Sequence, residues 1–420
     1  MFQALDPFGN ALCLQHESSA AAVTDFVEGL LGYTPRILAV LAAAERDESL
    51  IVQACAAALH LFAESPAGVA PARAHLDRAR RAGLPCTERE RLFASAIAHW
   101  AAGDLAAARA EHAALAAAHP RDLAALKLAQ YHAFNAGDAP ALLHLALQAL
   151  PAAAEVAWLH GMAAFGWEQC HRLDEAERSA RRALAMRPQE PWAQHALAHV
   201  MLTDGRLGEG AAVLRSAGAA AAGWRGLTSF MRTHLWWHLA LFEIDLGHAA
   251  QALALYDEQV WGVDKTYSQD QIGAVSLLAR LELAGLDVGS RWAELAGWLS
   301  TRTHDQVLPF LDLQYLYGLA RAGLSQAEVL QAQIERYAIS APDHSRLAWQ
   351  CVAVPAGRGL LAHARGRWAQ AAHHLSAALP QLAAIGGSHA QRDLFEQIHR
   401  DALQRSGQLP GAHIRQLARA

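Results

Sequence analysis

Two pairs of histidines, each four residues apart, are the residues of this sequence whose types and spacing could do chemistry. His195 and His199 stand in QHALAHV, and His234 and His238 stand in HLWWH. Residues four apart share one face of a helix, with their side chains about 6 Å apart. Each pair can therefore present two imidazoles to one ligand. Imidazole binds zinc or iron and transfers protons near neutral pH.

A metal site is one interpretation of these pairs. HALAH lacks the glutamate general base that a zinc-protease helix places between its histidines. The second pair or an acid would have to complete the ligand set, with the ion lying between successive repeats. The candidate acids are Glu243, Asp270, Asp305 and Asp312. The four histidines are thus candidates for catalysis and for binding a divalent metal ion. The alternative is that each histidine packs in the scaffold and that there is no cofactor.

Composition excludes several other classes of function. The formal net charge is −5, and no basic stripe is present, so we expect no binding to nucleic acid. The five cysteines are scattered and include no Cys-x-x-Cys pair, which argues against a disulfide framework. The sequence has no secretion signal and no run of 18 apolar residues, so we expect a cytoplasmic protein without a membrane span. Nucleophile and phosphate-loop motifs are also absent from the sequence.

The elements that must position the histidines are predicted to be helices. Apolar residues recur with helical spacing almost throughout, and helix-length segments end at short motifs such as NAGDA, TDGRL and DLGHA. These breaks return roughly every 35 residues through much of the chain. Small residues recur at matching places, such as Ala176, Ala180 and Ala183 in one unit. The pattern resembles the tetratricopeptide repeat and predicts an all-α, right-handed α-solenoid of helix–turn–helix units.

The repeat pattern also suggests divisions along the chain. Residues 91–261 fit the repeat, whereas residues 1–90 and 262–345 fit it poorly and are expected to form divergent helices. Residues 346–420 are predicted to contain a last repeat and capping helices. A generic alanine-rich helical bundle is the alternative to the repeat.

A longer resemblance is to the tetratricopeptide repeat protein 38 family. It rests on segments from about residue 85 to 400 in the family order, including TERERLFASAIAHWAAGD, GMAAFGWEQC, WAQHALAHV, HLWWHLALFEIDLG and IGGSHAQRDLF. The resemblance implies a helical solenoid and no settled activity. The matching positions are His195, His199, His234, Trp237, His238, Gln391, Arg392 and Asp393. Leu202 and Gly273 stand where many relatives in this family carry acids, so the resemblance implies that any shared site is altered here.

The repeat register predicts a ligand-binding wall. His195 and His199 fall at the fifth and ninth places of a first helix, which often face the concave groove in proteins of this repeat class. His234 and Trp237 take such places in the next unit. The unit before contributes Trp158, Phe165 and Glu168. The alternative is that these aromatic residues pack between helices.

The segment IGGSHAQRDLF is the most motif-like part of the C-terminal region. Ser388 is a suitable N-cap after Gly386 and Gly387. His389 and Arg392, with free backbone N–H groups, can hold an anion, and Asp393 belongs to the same candidate set. A capped helix with structural ion pairs through Arg392 and Asp393 is the simpler interpretation.

Two functions follow from these patterns. The first is a cytoplasmic scaffold whose histidine- and tryptophan-lined wall binds a peptide, a protein or a small ligand. The second is an enzyme that encloses a small substrate and uses the paired histidines as acid–base groups or metal ligands. An open groove favours the scaffold, and a closed, water-poor site favours the enzyme.

Overall fold

The computed structural model describes residues 2–220 and 223–409, and helices dominate this part of the chain. The prediction of an all-α helical repeat fold is confirmed. The first eleven α-helices are α1 Ser19–Gly32, α2 Ala39–Ala44, α3 Leu50–Leu61, α4 Val69–Ala82, α5 Glu88–Ala102, α6 Leu105–Ala118, α7 Leu123–Asn135, α8 Ala139–Ala149, α9 Ala157–Gln169, α10 Leu173–Met186 and α11 Pro191–Thr203. The others are α12 Leu207–Ala219, α13 Ser229–Asp245, α14 Ala249–Leu255, α15 Ser268–Leu283, α16 Arg291–Leu299, α17 Pro309–Arg321, α18 Gln326–Ser340, α19 Asp343–Leu347, α20 Val354–Ala364, α21 Trp368–Ala378 and α22 His389–Arg405.

Short segments of tighter or wider helix join some of these elements. The 3₁₀ segments are Pro35–Leu38, Pro66–Gly68, Leu150–Ala152, Ser300–Arg302 and Leu379–Ile385. The π-helical segments are Tyr256–Val260 and Ala348–Ala353. No helix among the described residues combines the length and the apolar character that a membrane span requires.

The helices fall into two compact units. The first contains Met1–Phe134, Ala139–Val200 and Ala221–Met231, and the second contains Asn135–Asp138, Met201–Ala220 and Arg232–Ala420. His195 and His199 belong to the first unit, whereas His234 and His238 belong to the second. The domain boundaries expected from the repeat pattern stay a prediction.

The first unit begins with a β-hairpin that the sequence did not predict. Strands β1 Phe2–Leu5 and β2 Ala11–Leu14 pair antiparallel, with Phe2 opposite Leu14. Asp6 closes the turn, because its Oδ1 accepts hydrogen bonds from the backbone N–H groups of Phe8 (2.9 Å) and Asn10 (2.8 Å). Expecting only helices in residues 1–90 was therefore wrong for this segment. Four-residue strands are too short to show a clear alternating pattern.

Small residues bring successive helices of the first unit together, as predicted. Ala176, Ala180 and Ala183 lie on one face of α10 and are fully buried. A Cβ added to Gly166 on α9 would lie 2.8 Å from the Cα of Leu143 on α8. Helices α8, α9 and α10 therefore pack at a distance that larger side chains would prevent.

The apolar core of the second unit consists mainly of one large cluster. It contains buried side chains from α13 to α22, including Trp237, Trp292, Trp349 and Phe395, beside a small separate cluster of alanines. Small residues again permit close packing, since a Cβ on Gly210 would lie 2.4 Å from the ring of Phe242. This core holds α13 in place, and α13 carries both histidines of the second pair.

The predicted N-cap near the C-terminus is confirmed. Ser388 Oγ accepts a hydrogen bond from the backbone N–H of Gln391 at 3.3 Å, and the Gln391 side chain accepts one from the backbone N–H of Ser388 at 2.9 Å. This reciprocal capping box starts α22. Gly386 and Gly387 have φ values of 76° and 79°, which favour glycine.

Candidate metal-binding histidines

The first histidine pair forms a nitrogen-to-nitrogen contact inside the first unit. His195 and His199 lie one turn apart on α11, and each exposes 1% of its surface. Their Nε2 atoms are 3.1 Å apart, and their ring planes meet at 73°. The i, i+4 spacing therefore does bring the two imidazoles together, as predicted.

This separation suits two ligands of one transition-metal ion. Zinc–imidazole bonds are about 2.0–2.1 Å long, so two nitrogens in near-tetrahedral positions lie roughly 3.1–3.4 Å apart. The two Nε2 atoms are in direct contact with each other. Without an ion, one imidazole has to donate the shared proton to the other.

A buried carboxylate lies behind the pair. Glu168 on α9 is fully buried, and its Oε1 lies 3.4 Å from Nδ1 of His199. The other carboxylate oxygen accepts a hydrogen bond from the side chain of Gln169 at 2.5 Å. A carboxylate beside Nδ1 favours the tautomer that carries its proton there, which leaves Nε2 with a lone pair. His199 is thus oriented as a ligand toward His195.

Aromatic rings enclose the same pair. The ring of Phe165 lies 5.2 Å from His195 and 5.7 Å from His199. Trp192 stacks on His195 at 4.5 Å with an interplanar angle of 23°. Phe165 and Glu168 were predicted as binding residues, whereas Trp192 was missed. Its position three residues before His195 on the same helix was the available signal.

The second pair lies on α13 in the second unit. His234 and His238 have ring centroids 4.7 Å apart at 82°, and their ligand atoms lie within 4.8 Å of each other. Trp237 stacks on His234 at 5.3 Å with an angle of 8°. His238 is fully buried and His234 exposes 9%. This arrangement repeats the perpendicular imidazoles and the stacked tryptophan of the first pair.

Arg280 supports this second pair and was missed by the sequence analysis. Its guanidinium lies 5.5 Å from the ring of Trp237 and donates hydrogen bonds to Ser276 Oγ and to the carbonyl oxygen of Ala390, both at 2.6 Å. Burial lowers the pKa of Arg280 from its ordinary value. The buried guanidinium charge of Arg280 is therefore stabilised by these two hydrogen bonds while it lies against the ring of Trp237.

The acids suggested as further ligands have other partners. Asp270 accepts a hydrogen bond from Thr233 Oγ1 at 3.1 Å. Asp305 pairs with Arg302 at 3.3 Å. Asp312 is fully buried and accepts a hydrogen bond from Gln306 at 3.1 Å, and burial raises the pKa of its carboxyl group.

Glu243 has two basic partners. It forms an ion pair with Arg215, and its Oε2 lies 2.9 Å from Nδ1 of His248. The structure thus gives each of the four candidate acids a local role.

The remaining predicted binding residues lie in other surroundings. Trp158 packs edge-on against Phe8 at 6.4 Å, and the guanidinium of Arg187 lies 4.6 Å from its ring. In the second unit, Arg392 donates a hydrogen bond to the carbonyl oxygen of Gly387 and lies 3.3 Å from Nδ1 of His389.

Asp393 is engaged within the second unit as well. Its Oδ2 accepts a hydrogen bond from Gln397 at 2.5 Å and lies 3.8 Å from Arg280. These contacts of Arg392 and Asp393 agree with the simpler interpretation, in which the segment is a capped helix whose charged side chains bind neighbouring residues.

Comparisons with known proteins concern the helical repeat. No protein-family model matches the chain. The chain is similar to yeast Tom70, with 14% identity and a TM-score of 0.43 over 76% of this chain and 64% of that chain. A tetratricopeptide repeat protein from Parabacteroides merdae is 14% identical, with a TM-score of 0.29 over 74% of this chain and 98% of that one. The tetratricopeptide repeat domain of P58(IPK) is 11% identical, with a TM-score of 0.21 over 78% of this chain and 100% of that domain. The narrower resemblance to the tetratricopeptide repeat protein 38 family stays a prediction.

Proposed function

We propose that this helical-repeat protein binds a divalent transition-metal ion through its buried histidine pairs. The observation that carries the proposal is the 3.1 Å contact between Nε2 of His195 and Nε2 of His199. Imidazole nitrogen suits zinc, copper, iron and nickel. The proposed role for both side chains is to supply two neighbouring ligands.

The surroundings of the first pair support a metal rather than a packing role. Glu168 lies beside the distal nitrogen of His199, at 3.4 Å, as the outer carboxylate does in many histidine–metal sites. The buried carboxylate also places negative charge beside the pair, which favours a bound cation.

The second pair is proposed to bind metal within its own unit. His234 and His238 have the same spacing, the same perpendicular rings and the same tryptophan stack as the first pair. Each pair supplies two neutral nitrogen ligands, and zinc takes four ligands in all. Each pair therefore leaves coordination positions for water or a small ligand.

Burial favours a small ligand over a peptide at these residues. A peptide-binding wall needs side chains that reach solvent, but His195 and His199 each expose 1% and His238 exposes none. A bound ion with an open coordination position can polarise a carbonyl group or activate water. An enzyme acting on a small molecule is therefore the second candidate function. Binding of a peptide or protein by the helical repeats elsewhere stays a prediction.

Equilibrium dialysis against zinc tests the proposal. We expect the wild-type protein to bind Zn²⁺, and we expect a His195→Ala/His199→Ala variant to lose at least about a thousandfold in affinity at the first pair, because both of its imidazole ligands are removed. The matched control is His112→Ala, which removes another fully buried histidine of the first unit. Circular dichroism checks that all proteins remain helical. Equal zinc affinity in wild type and double variant would refute the site.

A further inference from the structure

Lys127 is a buried lysine in the first unit that the metal proposal does not use. It lies on α7 in the apolar run LAALKLAQ and exposes 9% of its surface. Nearly all basic residues of the chain are arginine, and Lys265 is the other lysine. A lysine between two leucines in an apolar helix is a pattern from which a buried amine could have been predicted.

Two aromatic rings enclose the amine. Nζ of Lys127 lies 4.0 Å from the ring centroid of Trp192 and 4.9 Å from that of Tyr33. These two rings stack on each other at 5.4 Å with an angle of 25°. The amine on α7 thus lies against two aromatic rings. Tyr33 directly follows α1, and Trp192 lies on α11.

The amine has no polar partner within the described residues. No hydrogen bond and no ion pair joins Nζ of Lys127 to any residue in 2–220 or 223–409. The acid that acts on it from a distance is Glu190, which is fully buried. The Glu190 carboxylate already accepts hydrogen bonds from the backbone N–H groups of Trp192, at 3.1 Å, and Ala193.

This environment favours the neutral amine. Burial lowers the pKa of Lys127 to about 7, although the charge of Glu190 opposes the shift. Burial raises the pKa of Glu190 to about 7 and also raises that of Tyr33. A lysine in water has a pKa near 10.4 and is almost wholly protonated at pH 7. A buried lysine with a lowered pKa is a nucleophile at neutral pH.

We propose that Lys127 forms an imine with a small aldehyde or ketone held against Tyr33 and Trp192. Nζ attacks the carbonyl carbon, a C–N bond forms, and the π electron pair moves to oxygen. Nζ passes a proton to that oxygen and gives a carbinolamine. The hydroxyl group takes a proton from solvent and leaves as water while the C=N bond forms, and the last nitrogen-bound proton returns to solvent. The net reaction joins amine and carbonyl with release of water, so no oxidant or reductant is needed. This proposal does not depend on the metal site.

Reductive labelling tests the proposal on the full chain. A limiting amount of ¹³C-formaldehyde is added with cyanoborohydride, which delivers hydride to the imine carbon and traps it as a methylated amine. Peptide mapping then separates Lys127 from Lys265. At pH 7 we expect Lys127 to react about tenfold faster or more, because a larger fraction of its amine is neutral. Its rate should level off above about pH 8.

Lys265 is a matched internal control. Its Nζ lies 5.2 Å from the ring of Trp261, so it also contacts a tryptophan, but it forms an ion pair with Glu294 at 2.8 Å and exposes 36% of its side chain. A rate at Lys127 that is equal to or below that of Lys265 at pH 7 would overturn the proposal. A Lys127 rate that keeps rising to pH 10 would also overturn it.

The Glu190→Gln variant tests whether the protonation state of Lys127, rather than its accessibility to the reagent, controls the labelling rate. At pH 7 a pKa of about 7 leaves about half of Glu190 ionised, so Glu190→Gln removes negative charge near Lys127, favours the neutral amine further and should raise labelling by up to about twofold. Access to Lys127 changes little, because glutamine has the shape of glutamate. Unchanged labelling at pH 7 in a variant with wild-type circular dichroism would show that proton binding does not control the reaction, and would refute the proposal.

Discussion

Two buried histidine pairs of the first unit differ in how their rings meet. His112 on α6 and His132 on α7 stack nearly parallel, with centroids 5.2 Å apart at 23°. His195 and His199 meet almost perpendicularly and bring their Nε2 atoms to 3.1 Å. All four side chains are at least nine-tenths buried. Burial alone therefore does not distinguish a packing histidine from a candidate ligand.

The neighbours of the two pairs explain the difference. Trp100 lies 5.0 Å from the ring of His132, and Phe93 lies 6.0 Å from that of His112. No carboxylate lies within ion-pair distance of either ring among the described residues. Glu168, by contrast, lies 3.4 Å from His199. Burial among aromatic rings favours the neutral form of His112 and His132, whereas a carboxylate lies beside the other pair.

The stacked pair should make the fold sensitive to acid. Burial lowers the pKa of His132 to about 3 and lowers that of His112 as well. Because the unfolded chain has a histidine pKa near 6.5, it binds more protons than the folded chain below that pH. The free energy of unfolding should therefore fall as pH drops from about 6.5 toward 3. His132 alone contributes about 3 kcal/mol of this loss at pH 4.

The variant His132→Leu isolates that contribution. Leucine fills a similar volume and carries no titrating group, so the unfolding midpoint of the variant should fall less between pH 7 and pH 4 than that of wild type. Thermal unfolding followed by circular dichroism measures this. Identical pH dependence in the two proteins would show that His132 is not the acid-sensitive group.

Glu168 provides the sharper test of the contrast between the pairs. Glu168→Gln keeps the shape of the side chain but removes the charge beside Nδ1 of His199. Loss of an outer carboxylate typically weakens metal binding about 10- to 100-fold, and we expect a loss in that range for zinc. Glu64→Gln is the control, because Glu64 is a buried acid of the same unit that accepts a hydrogen bond from Tyr131. Equal affinity in both variants would assign Glu168 a packing role only.

Short-range sequence patterns were sufficient to predict many of the helices and their contacts. Helical spacing placed His195 and His199 on one face, and small residues such as Ala180 marked the helix contacts. The serine after two glycines predicted the start of α22 at His389. Each of these features depends on residues within one or two turns of each other, so periodicity and capping rules suffice to find them.

The parts that were missed depend on residues distant in the sequence. Tyr33, Lys127 and Trp192 meet although about sixty residues or more separate any two of them. Arg280 reaches Trp237 from another helix. Helix packing creates these contacts, and a single sequence contains no periodic signal for them. The hairpin of residues 2–14 was missed for a different reason, because its strands are only four residues long.

X-ray absorption spectroscopy of the zinc-loaded protein tests the central claim most directly. The account predicts a first shell of nitrogen or oxygen atoms at about 2.0 Å, with the outer-shell scattering of several imidazoles. The imidazole signal should weaken in His195→Ala/His199→Ala and keep its wild-type strength in His112→Ala. A shell of oxygen atoms without imidazole scattering in the wild-type protein would contradict the account.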